Sequence, residues 1–334
     1  MCKFLSCDWG TSSFRLRLVN QSDKRVTSEF NSDFGIQKAF NVWKDSKAND
    51  PQEKQDIYLN YIHEAVKELE AISGQQLNTQ LIICSGMASS SIGIKELPYV
   101  SVPFDTSGLG MEMHVIAAKE DFNHPLIIIS GLKNDHNVMR GEETQLIGLI
   151  SQLPDFDGEG AFIFPGTHSK HVYISSDKIV DFDTYMTGEV FKLLCHHSLL
   201  SNSLEENPPM DSEEKITAFK QGLMHGSTKS LLSVLFNVRT NDLFGHLDKK
   251  QNYHYLSGLM IGNELRNLIN ISDKAIYLCS EEKLYQPYSM ALDILEVPSI
   301  KLTPELVSNS VVQGQYQIYQ QNFDHEKRIF LGCF

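Results

Sequence analysis

Near the start of the chain stands Asp8-Trp9-Gly10-Thr11-Ser12-Ser13, directly after the strand-like run Lys3 to Cys7. A carboxylate at a strand end can hold hydrated Mg2+, which prefers one or two carboxylates together with phosphate oxygens. A tight turn at Gly10 lets backbone N–H groups face an anion, and Thr11 and Ser12 add hydroxyl donors. A plain hairpin with Gly and Ser in its turn would share this composition. Pro165-Gly166-Thr167-His168-Ser169-Lys170-His171 repeats the logic in the second half of the chain, with Lys170 as a basic residue at the next strand's start. Two such turns in successive halves point to one phosphate chain held from both sides. His168 and His171 could be read as a metal pair, but no third ligand lies at a helpful spacing.

Between the turns, Asn134 to Gln145 is dense in side chains that can read a hydroxylated, anionic molecule. Arg140 suits a carboxylate, because its fork matches two oxygens. Glu142 and Glu143 open an expected helix, Glu142 to Ile150, where they could serve as a base or simply complement the helix dipole. Ser85-Gly86-Met87-Ala88-Ser89 follows a buried strand, and open α/β sheets place ligands at the carboxyl ends of strands. Thr187-Gly188-Glu189 precedes a helical pattern and reads as a helix start. No G-x-x-x-x-G-K-[ST], no G-x-G-x-x-G after a strand, no H-E-x-x-H and no G-x-S-x-G occurs, so the nucleotide, dinucleotide, zincin and hydrolase fingerprints are missing.

The elements needed to position these residues are legible. Phe14, Leu16 and Leu18 alternate with Arg15 and Arg17, the period of a half-buried strand, so the first turn joins a hairpin. Ile57 to Ile72 is helical and precedes the buried strand Leu81 to Cys84; Pro125 to Ser130 and Ala161 to Phe164 read as further buried strands. Tyr255 to Ile271 is a helix on which Gly258 and Gly262 are spaced for close backbone approach. Lys44 to Lys54 and Ser201 to Glu214 read as surface insertions. Alternating strands and helices give an α/β class.

The 334 residues fit two domains. Asp plus Glu total 42 against 29 Lys plus Arg, a net charge of −13, which argues against non-specific nucleic-acid binding. No apolar run approaches the roughly 20 residues of a membrane span, and no secretory signal is expected. The six cysteines, Cys2, Cys7, Cys84, Cys195, Cys279 and Cys333, are scattered and read as free buried thiols of a cytoplasmic protein.

Taken together, these motifs resemble the 2-dehydro-3-deoxygalactonokinase family of the actin, sugar kinase and Hsp70 superfamily. The likeness rests on Asp8 to Ser12, Ser85-Gly86-Met87 with Pro98 to Pro103, His136 to Gly148, Pro165 to Lys170 and Met186 to Glu189. It implies two ribonuclease H-like (actin-like ATPase) domains around a hinged cleft. The first spans 1–132 and the second 133–304, with a C-terminal helix at about 305–322 packing back on the first. It implies ATP with Mg2+ and phosphorylation of the 6-hydroxyl of 2-dehydro-3-deoxy-D-galactonate in galactonate catabolism. The expected catalytic residues are Asp8 (also the metal carboxylate), Glu142 and Glu143. Gly10, Thr11, Ser12, Gly166, Thr167, His168 and Lys170 are expected to hold the nucleotide phosphates. Ser85, Gly86, Met87, Ser89, His136, Asn137 and Arg140 are expected to bind the sugar acid. A homodimer is allowed for. Another 2-keto-3-deoxy sugar acid as substrate, such as the gluconate epimer, and a non-catalytic nucleotide-binding sensor are the alternatives. The superfamily's adenosine-binding glycines are missing after Ala275 to Leu278, where Cys279-Ser280-Glu281-Glu282-Lys283 stands instead.

Overall fold

A computed structural model describes residues 2–46, 50–269 and 274–323. Cys333 and the expected helix end at Ile271 lie outside the described residues. Contacts divide the chain into two compact units: Met1–Gly158, Ser176–Asp181 and Leu306–Phe334 form unit 1, and Glu159–Ser175 with Phe182–Glu305 form unit 2.

Unit 1 is built on a sheet of β1 (Lys3–Trp9), β2 (Phe14–Asn20), β3 (Val26–Ser32), β4 (Ile82–Gly86), β7 (Met113–Ile116) and β8 (Leu126–Ile129), in the order β3-β2-β1-β4-β8-β7. β1, β4 and β8 are parallel. Successive side chains on a strand face opposite sides. Leu5, Cys7 and Trp9 therefore pack with α1 (Ile36–Asp45) and α2 (Pro51–Ser73), against Ile36, Tyr58, Ile62 and Leu69. On the other face Phe4 stacks on Tyr316 of α10 (Pro304–Asn322) with ring centroids 5.3 Å apart. The same helix covers Arg17, which is only 3% exposed. Its guanidinium donates to the carbonyl and hydroxyl of Ser308 at 2.7 and 2.8 Å. The strand read as half-buried is thus covered on both faces, because a helix nearly 300 residues away in sequence returns to it.

A small sheet orders β10 (Val138–Met139), β9 (Leu132–Lys133) and β5 (Val100–Ser101). It leads into α3 (Glu142–Ile150), and the close approach of Gly148 to the Ser310 carbonyl lays α3 on α10. β6 (Phe104–Asp105) pairs with the first residues of β13 (Lys178–Tyr185). The expected domain change at residue 132 is therefore corrected. Residues 133–158 belong with unit 1, because their strands pair with β5 and their helix packs on α10.

Unit 2 orders β15 (Ile300–Lys301), β14 (Ile276–Leu278), β11 (Gly160–Phe164), β12 (Ser169–Ser175) and β13. Its helices are α4 (Thr187–His197), α5 (Glu213–Thr228), α6 (Leu231–Leu235), α7 (Asn237–Leu243), α8 (Lys249–Leu265) and α9 (Glu282–Ile294). α8 begins on a capping box in which the Asp248 side chain and Gln251 satisfy each other's backbone N–H groups. The spacing of Gly258 and Gly262 has the expected meaning: a Cβ at either would lie 2.2 or 2.3 Å from the carbonyls of Phe219 and Leu223 on α5. α5 answers with Gly222 and Gly226, so the two backbones interlock from both sides. Among the described residues no helix is long and apolar enough to cross a membrane. Of the cysteines, Cys7, Cys84 and Cys279 are buried and free, Cys2 is exposed and Cys195 half-buried.

Candidate active site

In unit 1 the parallel register of β1 and β4 sets Asp8 opposite Ser85 and Trp9 opposite Gly86. Gly86 has a φ of +86°, and a Cβ there would sit 2.8 Å from the Trp9 carbonyl and 3.5 Å from Asp8 Oδ1. The positive φ and the Trp9 carbonyl require glycine here, and they leave this bend beside the Asp8 carboxylate. Gly141, with a φ of +109°, approaches the same spot: its missing Cβ would lie 3.5 Å from Gly86 Cα. The fold thus gathers Asp8, Ser85–Met87 and the Gly141-Glu142-Glu143 helix start.

The two glutamates differ. Glu142 is half-buried, and its Oε2 accepts from the Arg140 N–H at 3.1 Å. Glu143 is sealed at 0% exposure; both its oxygens accept from the Gly141 N–H at 2.9 Å, and Oε1 also accepts from the Thr144 hydroxyl at 3.0 Å. Burial, with the charge of Glu142 adding to it, pushes Glu143 up to about 7.

Three expected substrate contacts are corrected. Ser85 is 0% exposed, and its hydroxyl accepts from Gln315 Nε2 at 2.9 Å, a nitrogen that also donates to the Cys7 carbonyl at 2.8 Å. Ser89 is 0% exposed and accepts from Arg140 Nη1 at 2.5 Å. Both ends of the Arg140 fork are engaged, though its buried Nε has no partner: Nη2 donates to the Leu97 carbonyl at 3.0 Å, and the guanidinium lies 3.9 Å from the Tyr99 ring centroid. Arg140 therefore ties the Met87–Ser89 turn to the 97–99 segment. Met87, His136 and Asn137 stay accessible. The last two sit at the β9–β10 hairpin tip, where Asn134 Oδ1 accepts from both their N–H groups at 2.9 and 2.5 Å.

The first turn is clamped from behind. Gly10 N–H donates to the Ser13 carbonyl at 2.9 Å, while Ile36 and Gln37 at the start of α1 donate to the Gly10 and Thr11 carbonyls at 2.9 and 3.2 Å. Thr11, Ser12 and Ser13 are left exposed.

In unit 2 the second turn has the same plan. Gly166 N–H donates to Ser169 Oγ at 3.2 Å, and Glu189 N–H of α4 donates to the Thr167 carbonyl at 3.0 Å. In neither turn is the glycine N–H directed at a ligand, as the sequence suggested; each closes its own bend, and the tip side chains are what the turn presents. Thr167 and His168 are exposed, and the His168 ring bonds the Glu189 carboxylate. Lys170 is 4% exposed and donates to the His168 carbonyl at 3.2 Å, bracing the turn from inside instead of reaching out of it. Among the described residues no group of three or more His, Cys, Asp or Glu could hold a metal ion; His168 stands exposed on Glu189, while His171 is buried against Glu264.

Beside the turn opens a cavity of about 480 Å³, inside the range of small-molecule sites. Gly166 and Gly188 form one end; Tyr253, Ser257, Lys283, Gln286 and Tyr288 line the rest. Asn207, Pro208 and Met210 line it too, so the stretch read as a surface insertion is a cavity wall. Sequence reasoning missed these residues, which lie on separate elements with no shared motif. Of the atypical 279–283 segment only Lys283 reaches the cavity, while Cys279 and Ser280 are buried.

Residues 8–317 match the family described as 2-keto-3-deoxy-galactonokinase. The chain is 33% identical over 271 residues to the 2-dehydro-3-deoxygalactonokinase of Escherichia coli (strain K12), covering 80% of each. A crystal structure of a Sinorhizobium meliloti protein named for the same activity superposes with a TM-score of 0.74 at 26% identity, covering 95% of this chain and 98% of that one. A ligand-bound xylulose kinase from Lactobacillus acidophilus shares the fold alone, with a TM-score of 0.50 at 10% identity over 97% of this chain and 91% of that one. These likenesses bear out the sugar-kinase, actin-like fold class.

Proposed function

The chain belongs to the 2-keto-3-deoxy-galactonokinase family, a family of carbohydrate kinases, and from that premise we propose that it transfers the γ-phosphoryl group of ATP to the 6-hydroxyl of 2-dehydro-3-deoxy-D-galactonate. The observation that supports this most directly is the meeting of Asp8 and the Glu142 helix start at Gly86. Phosphoryl transfer asks a protein mainly for positioning and charge neutralisation, plus a carboxylate that orients the attacking hydroxyl.

Glu142 suits that last task, being accessible where Glu143 is sealed. Its carboxylate would accept the proton of the 6-hydroxyl. Glu143 instead fixes the Gly141 bend on which Glu142 is carried. Met87, His136 and Asn137 would read the sugar acid. Asp8 would hold Mg2+, directly or through water; one carboxylate at a glycine-lined strand end fits a cation that takes most of its ligands from phosphate and water. Thr11, Ser12, Thr167 and His168 would donate to phosphate oxygens, and the cavity beside Gly166 would take the nucleoside. Bound ATP supplies the phosphoryl group and its leaving group.

A coupled ADP-release assay over a panel of 2-keto-3-deoxy acids tests the reading. The galactonate epimer is expected to give the highest kcat/KM; a higher value for the gluconate epimer would replace the substrate. ADP binding by calorimetry with no turnover on any acid would favour a nucleotide-binding sensor.

A further inference from the structure

Four side chains, of which only Tyr288 lines the cavity, run in a line through the interior of unit 2. Ser169, His171, Glu264 and Tyr288 are between 0 and 2% exposed. Tyr288 Oη donates to Glu264 Oε2 at 2.8 Å. With that proton committed, the 3.3 Å contact between Tyr288 and Ser169 must have the serine hydroxyl as donor. Ser169 Oγ in turn accepts the Gly166 N–H. At the other end His171 Nε2 stands 3.2 Å from Glu264 Oε1 and donates to it, with the ring tilted against Tyr185. Every proton in the train points from the turn toward the carboxylate or from the histidine to it. β12, α8 and α9 each supply a member.

Buried polar groups replaced together by apolar residues of the same volume commonly cost a fold little stability. A polar chain costs desolvation where an atom is left without a partner, as His171 Nδ1 is here, and it fixes geometry where it is satisfied. It ends on the N–H that closes the second turn. On the nucleotide reading of the unit 2 cavity, we infer that Glu264 and His171 are positioning residues for the phosphates, acting through Tyr288 and Ser169 on the Gly166 turn. Neither lines the cavity, and of the train only Tyr288 does, so their larger effect falls on the phosphate end of a ligand and a smaller one on its nucleoside.

Calorimetry of the full chain with ADP and with adenosine separates the two ends. Glu264→Leu is expected to weaken ADP about tenfold, the scale of one lost buried hydrogen bond, with adenosine within about twofold. Glu264→Gln, which keeps an acceptor for Tyr288, should recover most of the loss. Equal changes for both ligands, or no change for ADP in a folded variant, overturn the inference. If the leucine variant does not fold, Ser169→Ala carries the test, since it cuts the train beside Gly166; unchanged ADP affinity there is equally fatal. Failure of the wild-type chain to bind ADP would overturn the nucleotide assignment and the inference together. Binding of ADP without sugar-acid turnover would overturn the kinase reading alone.

Discussion

The two hydroxyl-bearing turns share a design and differ in what holds them. In each, a helix start presses a glycine against the bend: a Cβ on Gly35 would lie 2.3 Å from the Thr11 carbonyl, and one on Gly188 would lie 2.4 Å from the Gly166 carbonyl. In each, a helical N–H bonds the carbonyl of the turn's threonine. Behind the first turn stands an aromatic cage, with Trp9 packed edge-on against Phe14 and Tyr58 and its indole N–H on the Phe34 carbonyl. Behind the second stands the buried polar train. An apolar cage tolerates reshaping as long as volume is kept, whereas a train of hydrogen bonds fails at any broken member. The first turn also carries its own carboxylate, Asp8; the second has only Lys170, turned inward.

That last difference is the sharpest to test. Asp8→Asn is expected to lower Mg2+-dependent kcat about a thousandfold, the scale of losing a preorganised charge at the reacting phosphate, while Lys170→Met costs less than about tenfold in kcat and acts mainly on stability. Comparable losses in steady-state assays would erase the distinction between the turns.

The next effect is thermodynamic. Because burial raises Glu143 from 4.5 to about 7, the native state keeps its proton to higher pH than the unfolded chain does. Its contribution is therefore most favourable below about pH 4.5 and declines as the pH climbs to about 7, by about 3 kcal/mol in all. Urea unfolding across that window should show this slope in the wild type relative to Glu143→Gln; parallel curves would mean that Glu143 is not sealed. Glu142→Gln should instead leave stability unchanged and lower kcat about a hundredfold. The reverse pattern would exchange the roles of the two residues.

The smallest expected effect probes what the turns share. Gly35→Ala and Gly188→Ala should each cost about 2 kcal/mol by thermal unfolding, since each pushes a methyl group into backbone. Each should also raise the KM for ATP without moving the KM for the sugar acid, since each presses on a turn assigned to the phosphates. A loss at one glycine and none at the other would show that the shared geometry is incidental.

Much of this was readable in advance where one segment contains its own reason. The hairpin around Gly10, the helix Glu142–Ile150 and the glycine spacing of α8 follow from local period and turn chemistry. What escaped depends on distant partners. Arg140 suits a carboxylate by its fork, but Ser89, Leu97 and Tyr99 had claimed it. Arg17 alternates like a solvent-facing residue, but α10 lies over it. Ser85 stands where ligands bind, but Gln315 reached it first. The 201–214 stretch reads as surface by its polar residues, but Asn207, Pro208 and Met210 within it line the unit 2 cavity.

Gln315 has a consequence in time. It bridges the Cys7 carbonyl and Ser85, so β1 is not locked until α10, about 300 residues later, leaves the ribosome. Unit 2 lies in the interval between them and can mature while that seam between β1 and β4 still waits. The lobe begun first is the lobe completed last, and a nascent chain stalled before residue 304 would carry Arg17 and Phe4 uncovered to whatever chaperone meets it.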